Sequence, residues 1–205
     1  QFAEEIMTEW ISNCIEHFGI NRIVISGGLA LNIKANMKIA ELENVSEIFV
    51  PPGGGDTSVG VGAAYAYAAD SEGGDCRKIS ALDHAYWGPE PTNDDIVQAI
   101  NTSGAENKFI VEYGVSAGIV AAHLADGKVV ARLCGRMEFG ARALGNRSIL
   151  AHPGDFAVVQ NINEKIKNRD FWMPFTPSIL AERSEDYLVN PKGLQAQFMT
   201  MGFES

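Results

Sequence analysis

Residues 22–56 read RIVISGGLALNIKANMKIAELENVSEIFVPPGGGD, and this stretch decides the fold class. Ile23-Val24-Ile25 and Ile48-Phe49-Val50 are short β-branched and apolar runs, the pattern of buried strands. The first runs into Gly27-Gly28, and the second is closed by Pro51-Pro52 and the turn Gly53-Gly54-Gly55-Asp56. Between them, from about Ala30 to Leu42, the pattern is helical.

Outward from there, Phe2, Ile6, Trp10, Ile11, Cys14, Ile15 and Phe18 recur at helical spacing, and Gly19 stops that helix. Ser58 to Ala69 is a helix of small residues. Helix, strand, helix, strand, helix predicts an α/β layer with a partly parallel sheet. Residues 70–93 turn polar and rich in glycine and proline, which places a domain boundary near residue 90. A second unit of mixed α and β character follows. A helix is expected over Asp94–Ile100, a strand over Phe109–Val111, a helix over Val115–Leu124 and a strand over Val129–Ala131. From there to about Arg169 the pattern is irregular and charged.

The whole chain sets bounds on function. Its 205 residues are 46% hydrophobic and 20% charged, the composition of an ordinary globular chain. A net charge of -10 argues against nucleic acid as a partner. Cys14, Cys76 and Cys134 are far apart and form no CxxC pair, which fits a reducing cytoplasm. No basic leader precedes an apolar core, and no run approaches a membrane span. The reading is therefore cytoplasmic, with no membrane partner. The chain lacks an initiator Met and opens straight into a helical pattern, so a piece of a longer protein is expected.

Two stretches carry chemistry. The glycine turns at Gly27-Gly28 and Gly53-Gly54-Gly55 each follow a strand and precede a helix. Glycine lets backbone approach a ligand closely, and helix N-termini favour phosphate. Asp56 begins its helix, where it can cap or hold a metal. On pattern alone such glycines are common, and such an Asp is more often a cap. The second stretch is GRMEFGARALGNRS, Gly135 to Ser148. Between residues 128 and 169 stand Lys128, Arg132, Arg136, Arg142, Arg147, Lys165, Lys167 and Arg169, against three acids, Glu138, Asp155 and Glu164. Half of the chain's basic residues thus occupy about a fifth of its length. Arginines set among glycines suit a small polyanion, a nucleotide or an acyl phosphate. The plainer alternative is a set of structural ion pairs. His17, His84, His123 and His152 are isolated, and neither Ser148 nor Ser178 sits in a GxSxG elbow. The run Phe171-Trp172-Met173-Pro174-Phe175 reads as packing beside the basic site.

With these residues in view, the chain resembles the O-carbamoyltransferases that modify nodulation factors and antibiotics. The resemblance rests on GRMEFGARALGNRSILAHP (135–153), INEKIKNRDFWMPFTPSIL (162–180), GGLALN (27–32) and PPGGGDTSVGVGAA (51–64), in that family's order. It implies the end of an actin-like transfer domain over residues 1–75, a linker over 76–92 and an incomplete YrdC-like activating domain over 93–205. The implied reaction joins carbamoyl phosphate and ATP, with Mg2+, into carbamoyl-adenylate. The carbamoyl group then passes to a hydroxyl of a small-molecule acceptor, with Fe2+ or another divalent metal in the transfer domain. By the resemblance, Gly27, Gly28 and Asn32 contact nucleotide and Asp56 holds the metal. Arg136, Arg142, Asn146, Arg147 and Ser148 bind phosphate, with Arg142 and Arg147 catalytic. Lys167, Arg169 and Ser178 belong to the same site.

Ala141 replaces a frequent proline of the family, Thr176 a frequent alanine and Met173 a frequent arginine. The family's metal histidines would precede residue 1, and the rest of its activating domain would follow Ser205. The expectation is a chain with little or no activity by itself, whose open apolar surface allows self-association. The competing functions are an actin-like kinase or ATPase and a nucleotide-binding module without chemistry.

Overall fold

A computed structural model describes residues 1–205. The architecture is mixed α/β, with helices and two small two-stranded sheets. Packing divides the chain into two compact units that are not contiguous in sequence. The first comprises Gln1–Tyr86, Phe139–Leu144 and Ile179–Ser205, and the second Trp87–Glu138 and Gly145–Ser178.

In the first unit, α1 (Phe2–Phe18) buries Met7, Ile11 and Ile15 on one stripe and ends on Gly19, whose φ of 68° lets its N–H return to the Ile15 carbonyl. β1 (Arg22–Val24) and β2 (Glu47–Phe49) pair in parallel, with Ile23 opposite Ile48. The parallel sheet expected from the sequence is thus present. α2 (Ile33–Glu41) crosses between them. It begins later than the hydrophobic pattern predicts, because Asn32 caps it by accepting the Ala35 N–H at 3.1 Å. Residues Gly28–Leu31 form a 3-10 turn instead. The core joins α1, β1, α2 and β2 through Ile11, Ile25, Ala35, Ile39, Val45 and Ile48, and receives Met201 from the far end of the chain. α3 (Val59–Ser71) follows a 3-10 turn at Asp56–Ser58 and buries no residue.

In the second unit, α4 (Asn93–Ser103) and α5 (Ala117–Ala125) match the expected helices and also bury nothing. α5 starts two residues after Val115, where the Ser116 hydroxyl accepts the Ile119 N–H at 3.4 Å. The strand expected at Phe109–Val111 is absent. No strand lies beside it to accept a ladder, Ile110 is 92% exposed, and Phe109 bonds back to the Ala105 carbonyl instead. β3 (Val130–Leu133) pairs antiparallel with β4 (Arg147–Leu150), a strand hidden in the stretch that reads as irregular. α6 (Phe156–Asn161) continues as a π-helical turn, Ile162–Lys167, and buries Val158, Ile162 and Asn163.

Candidate functional site

The residues singled out in the sequence fall into three groups. The first is the glycine turns. Gly27, with φ of 101°, donates its N–H to the Gly54 carbonyl, and the Ser26 hydroxyl donates to the same oxygen at 3.2 Å. The two turns that end β1 and β2 are therefore tied at Gly54, itself seated against Ala30. Gly53 and Gly140 both have positive φ and approach so closely that a Cβ on Gly140 would lie 3.2 Å from the Gly53 nitrogen. No side chain larger than hydrogen suits that seam. Residues Phe139–Leu144 of the arginine string thus pack on the Pro52–Gly53 loop within the first unit. The Phe139 N–H donates to the Ala85 carbonyl at 2.7 Å, and the Tyr86 hydroxyl to the Leu144 carbonyl at 3.0 Å. Arg142 lies on this segment, exposed and without a hydrogen bond or ion pair.

The second group is the loop between β3 and β4. Arg147 donates from Nη1 to the carbonyls of Cys134 at 2.9 Å and Asn146 at 3.2 Å, and from Nη2 to that of Gly135 at 3.1 Å. Arg136 donates from Nε to Gly88 and from Nη2 to Trp87, both at 3.1 Å. The Asn146 amide donates to the Arg136 carbonyl at 2.8 Å. The Glu138 carboxylate accepts the N–H groups of Asn146 at 2.7 Å and Arg147 at 3.0 Å. The Ser148 hydroxyl accepts the Gly145 N–H at 3.0 Å. Arg136, Asn146, Arg147 and Ser148 are brought together here, where they shape the loop by satisfying its backbone.

The third group follows α6. Asn163 is fully buried and donates to the carbonyls of Phe171 at 3.1 Å and Met173 at 3.0 Å. Its own side-chain oxygen accepts Arg169 Nε at 2.7 Å, and the Arg169 guanidinium lies over the Phe175 ring at 4.5 Å. The packing expected of the aromatic run is met only in part: Phe175 lies under the Arg169 guanidinium and the buried Asn163 amide holds the backbone of Phe171 and Met173, while the Phe171 and Trp172 side chains are exposed. Lys167 and Ser178 are exposed. Sequence reasoning missed Glu138, Asn163 and the Gly53–Gly140 seam. Glu138 counted only as a charge, and nothing in INEKIK marks its Asn as buried.

Asp56 is exposed in the Asp56–Ser58 turn and caps nothing with its side chain. No group of three His, Cys, Asp or Glu converges anywhere to hold a metal ion. A lone carboxylate is a poor ligand set for Fe2+ or Mg2+. The residues present do not by themselves fit a resident metal, and no step is assigned to one. No helix is long and apolar enough to cross a membrane.

The sequence can be set beside known proteins. Residues 1–65 match the carbamoyltransferase N-terminus and residues 121–205 the carbamoyltransferase C-terminus. The chain is 35% identical over 187 residues to an uncharacterized protein of Methanocaldococcus jannaschii, covering 90% of this chain and 30% of that one. It is 34% identical over 200 residues to nodulation protein NolNO of Sinorhizobium fredii, covering 98% of this chain and 29% of that one. Nodulation protein U of the same organism is 32% identical over 189 residues, covering 90% and 31%. The chain thus spans about three tenths of the length of these relatives. Both ends of one family, matched in order along a single chain, show that this protein belongs to the carbamoyltransferases.

Proposed function

We propose that this chain is part of an enzyme that moves a carbamoyl group from carbamoyl phosphate to a hydroxyl of a small-molecule acceptor, by way of carbamoyl-adenylate made with ATP. The observation that carries the reading is the seam at Gly53 and Gly140. It seats the Arg142 segment of the arginine string on the glycine loop that follows β2, so both motifs contribute to one compact unit.

Water cleaves carbamoyl phosphate to carbamate and phosphate, and carbamate then displaces pyrophosphate from ATP to give carbamoyl-adenylate. The chemistry needs cations where that charge collects and backbone that comes close to it. Arg142 is exposed and unpaired, ready to meet a phosphate with both arms of its fork. Arg147 would trade one of its three carbonyls for a phosphate oxygen, while Arg136, Asn146 and Ser148 keep the loop in shape. On the first unit, Gly27, Gly28 and Asn32 are proposed to contact nucleotide at the first turn; on the second, Lys167, Arg169 and Ser178 are proposed to bind phosphate. Asp56 is proposed as one ligand of a metal whose other ligands come from outside these residues. YrdC-like and actin-like folds for the two halves belong to the same proposal.

Calorimetric titration of the chain with ATP tests the reading. Arg142→Ala should weaken binding about tenfold, the loss of one charge-assisted phosphate contact. Unchanged affinity would remove Arg142 from the site. In a chain as long as the relatives, pyrophosphate should appear only when carbamoyl phosphate is present. A kinase releases none, and a binding module turns nothing over.

A further inference from the structure

Residues Ile179–Ser205 close the stretch matched to the carbamoyltransferase C-terminus, yet they pack in the first unit. They are fastened there by polar bonds as well as by Met201 in the core. The Lys192 ammonium donates to the carbonyls of Ala40, Leu42 and Val45 at 2.7, 2.6 and 2.7 Å, where α2 ends. That satisfies carbonyls a helix end leaves open. Thr200 donates its hydroxyl to the Val50 carbonyl at 3.0 Å, at the start of the Pro51–Gly55 loop.

The main-chain oxygen of Thr200 accepts from Asn36, which is fully buried on α2. One Asn36 amide nitrogen serves two oxygens, those of Thr200 and Ala30, each at 2.8 Å. Ala30 lies within the Gly28–Leu31 turn. The other amide atom, Oδ1, is buried with no donor. Turning the amide over would aim that oxygen at two carbonyls, so the orientation is set. The side chain therefore contributes through its two donors alone, and it carries an unpaired acceptor to do so. A leucine would fill similar space without that penalty, but it would not join the turn to the tail.

We propose that Asn36 is a positioning residue through which the docked tail holds the Gly27–Leu31 turn in order, and so sets nucleotide affinity at that turn. The second half rests on the nucleotide reading given above. Lys192 bonds neither the turn nor Asn36, and Asn36 makes the polar link from the tail to the turn, beside the apolar contact of Met201 in the core that holds Ala30.

Amide hydrogen exchange across Gly27–Asn32, with ATP titration, tests this on the 205-residue chain. Lys192→Met should speed exchange in the tail and also, about fivefold, at the turn, and weaken ATP binding by a similar factor. In an Asn36→Leu background the same change should affect the turn much less than in the wild type. Thr200→Val, which removes one hydroxyl and keeps the shape, should act in the same direction to a smaller degree. A loosened tail with unchanged turn amides overturns the proposal. So does equal acceleration in the Asn36→Leu background, or wild-type ATP affinity once the turn is loosened. If the wild-type chain binds no ATP, the nucleotide reading fails instead, and the exchange data still decide the positioning role.

Discussion

The two units solve the same problem with different materials. The first gathers Ile11, Ile15, Ile25, Ile39, Val45 and Ile48 from α1, α2, β2 and the segments flanking the strands into a core and adds a cation, Lys192, at its edge. The second buries little beyond Val158, Ile162 and Asn163. Its order comes from side chains bonded to backbone. Arg147, Arg136, Asn146 and Glu138 hold the β3–β4 loop, and Asn163 holds the segment after α6. Burial scales with apolar area and is indifferent to direction. A guanidinium on carbonyl oxygens is directional and depends on a fork of fixed shape. The difference teaches why the arginine string has two readings. A scaffold held by arginines and a phosphate site built of arginines use the same residues.

The widest separation between the units should appear in core truncation. Ile39 is fully buried, and Ile39→Ala should cost about 3 kcal/mol and loosen α1, α2 and the β1–β2 pair together. Hydrogen exchange resolved by segment would register this in the first unit while the β3–β4 hairpin keeps its protection. Loss of protection in both units at once would mean that they fold as one body, and the contrast would fall.

The converse change is Arg147→Lys. Charge is kept, but a single ammonium cannot span the carbonyls of Cys134, Gly135 and Asn146 as the planar fork does. The expected cost is about 2 kcal/mol, confined to the second unit, with faster exchange from Cys134 to Arg147. If Arg147→Lys left the loop intact and weakened only ATP binding, Arg147 would be a ligand and not a clamp.

How far the sequence reveals this follows the same divide. α1, α2 and the parallel pair were legible because burial writes a period into the chain, as in Met7, Ile11 and Ile15. Gly19 as a stop was legible because few other residues take its φ. β4 was not, since Arg147-Ser148-Ile149-Leu150 shows no clean alternation and pairs through a loop ordered by side chains. Phe109–Val111 misled for the opposite reason. It has strand-like residues but no partner, and a strand exists only as part of a ladder. At the site, the glycine turns and the basic cluster were visible. The division of the string between Arg142 on one unit and Arg136, Asn146 and Arg147 on the other depends on long-range packing at Gly140, which no local pattern encodes.

The smallest effect contrasts α1 with α4. α1 has no side-chain cap at Gln1 and is held by three buried residues. α4 buries none and begins with a capping box. The Thr92 hydroxyl accepts the Asp95 N–H at 3.2 Å, and the Asp95 carboxylate accepts the Thr92 hydroxyl at 2.7 Å and the Thr92 N–H at 2.8 Å. The hydroxyl's hydrogen bond, then that of the N–H, holds the Asp95 carboxyl below its ordinary value. A carboxyl depressed in the folded state binds its proton more readily when unfolded. Its contribution is therefore complete above the ordinary aspartate value of about 4 and disappears as pH falls through the folded value. Acidification below about pH 4 should thus fray the first turn of α4 while the first turn of α1 holds better. Asp95→Asn keeps an acceptor but has no proton to take up, so it should abolish the pH dependence at α4 and leave the rest of the acid profile in place. Helix protection followed by exchange in the wild type and in Asp95→Asn measures this. An identical acid response in both would show that α4 is held by something other than its cap, and would bring the second unit closer to the first.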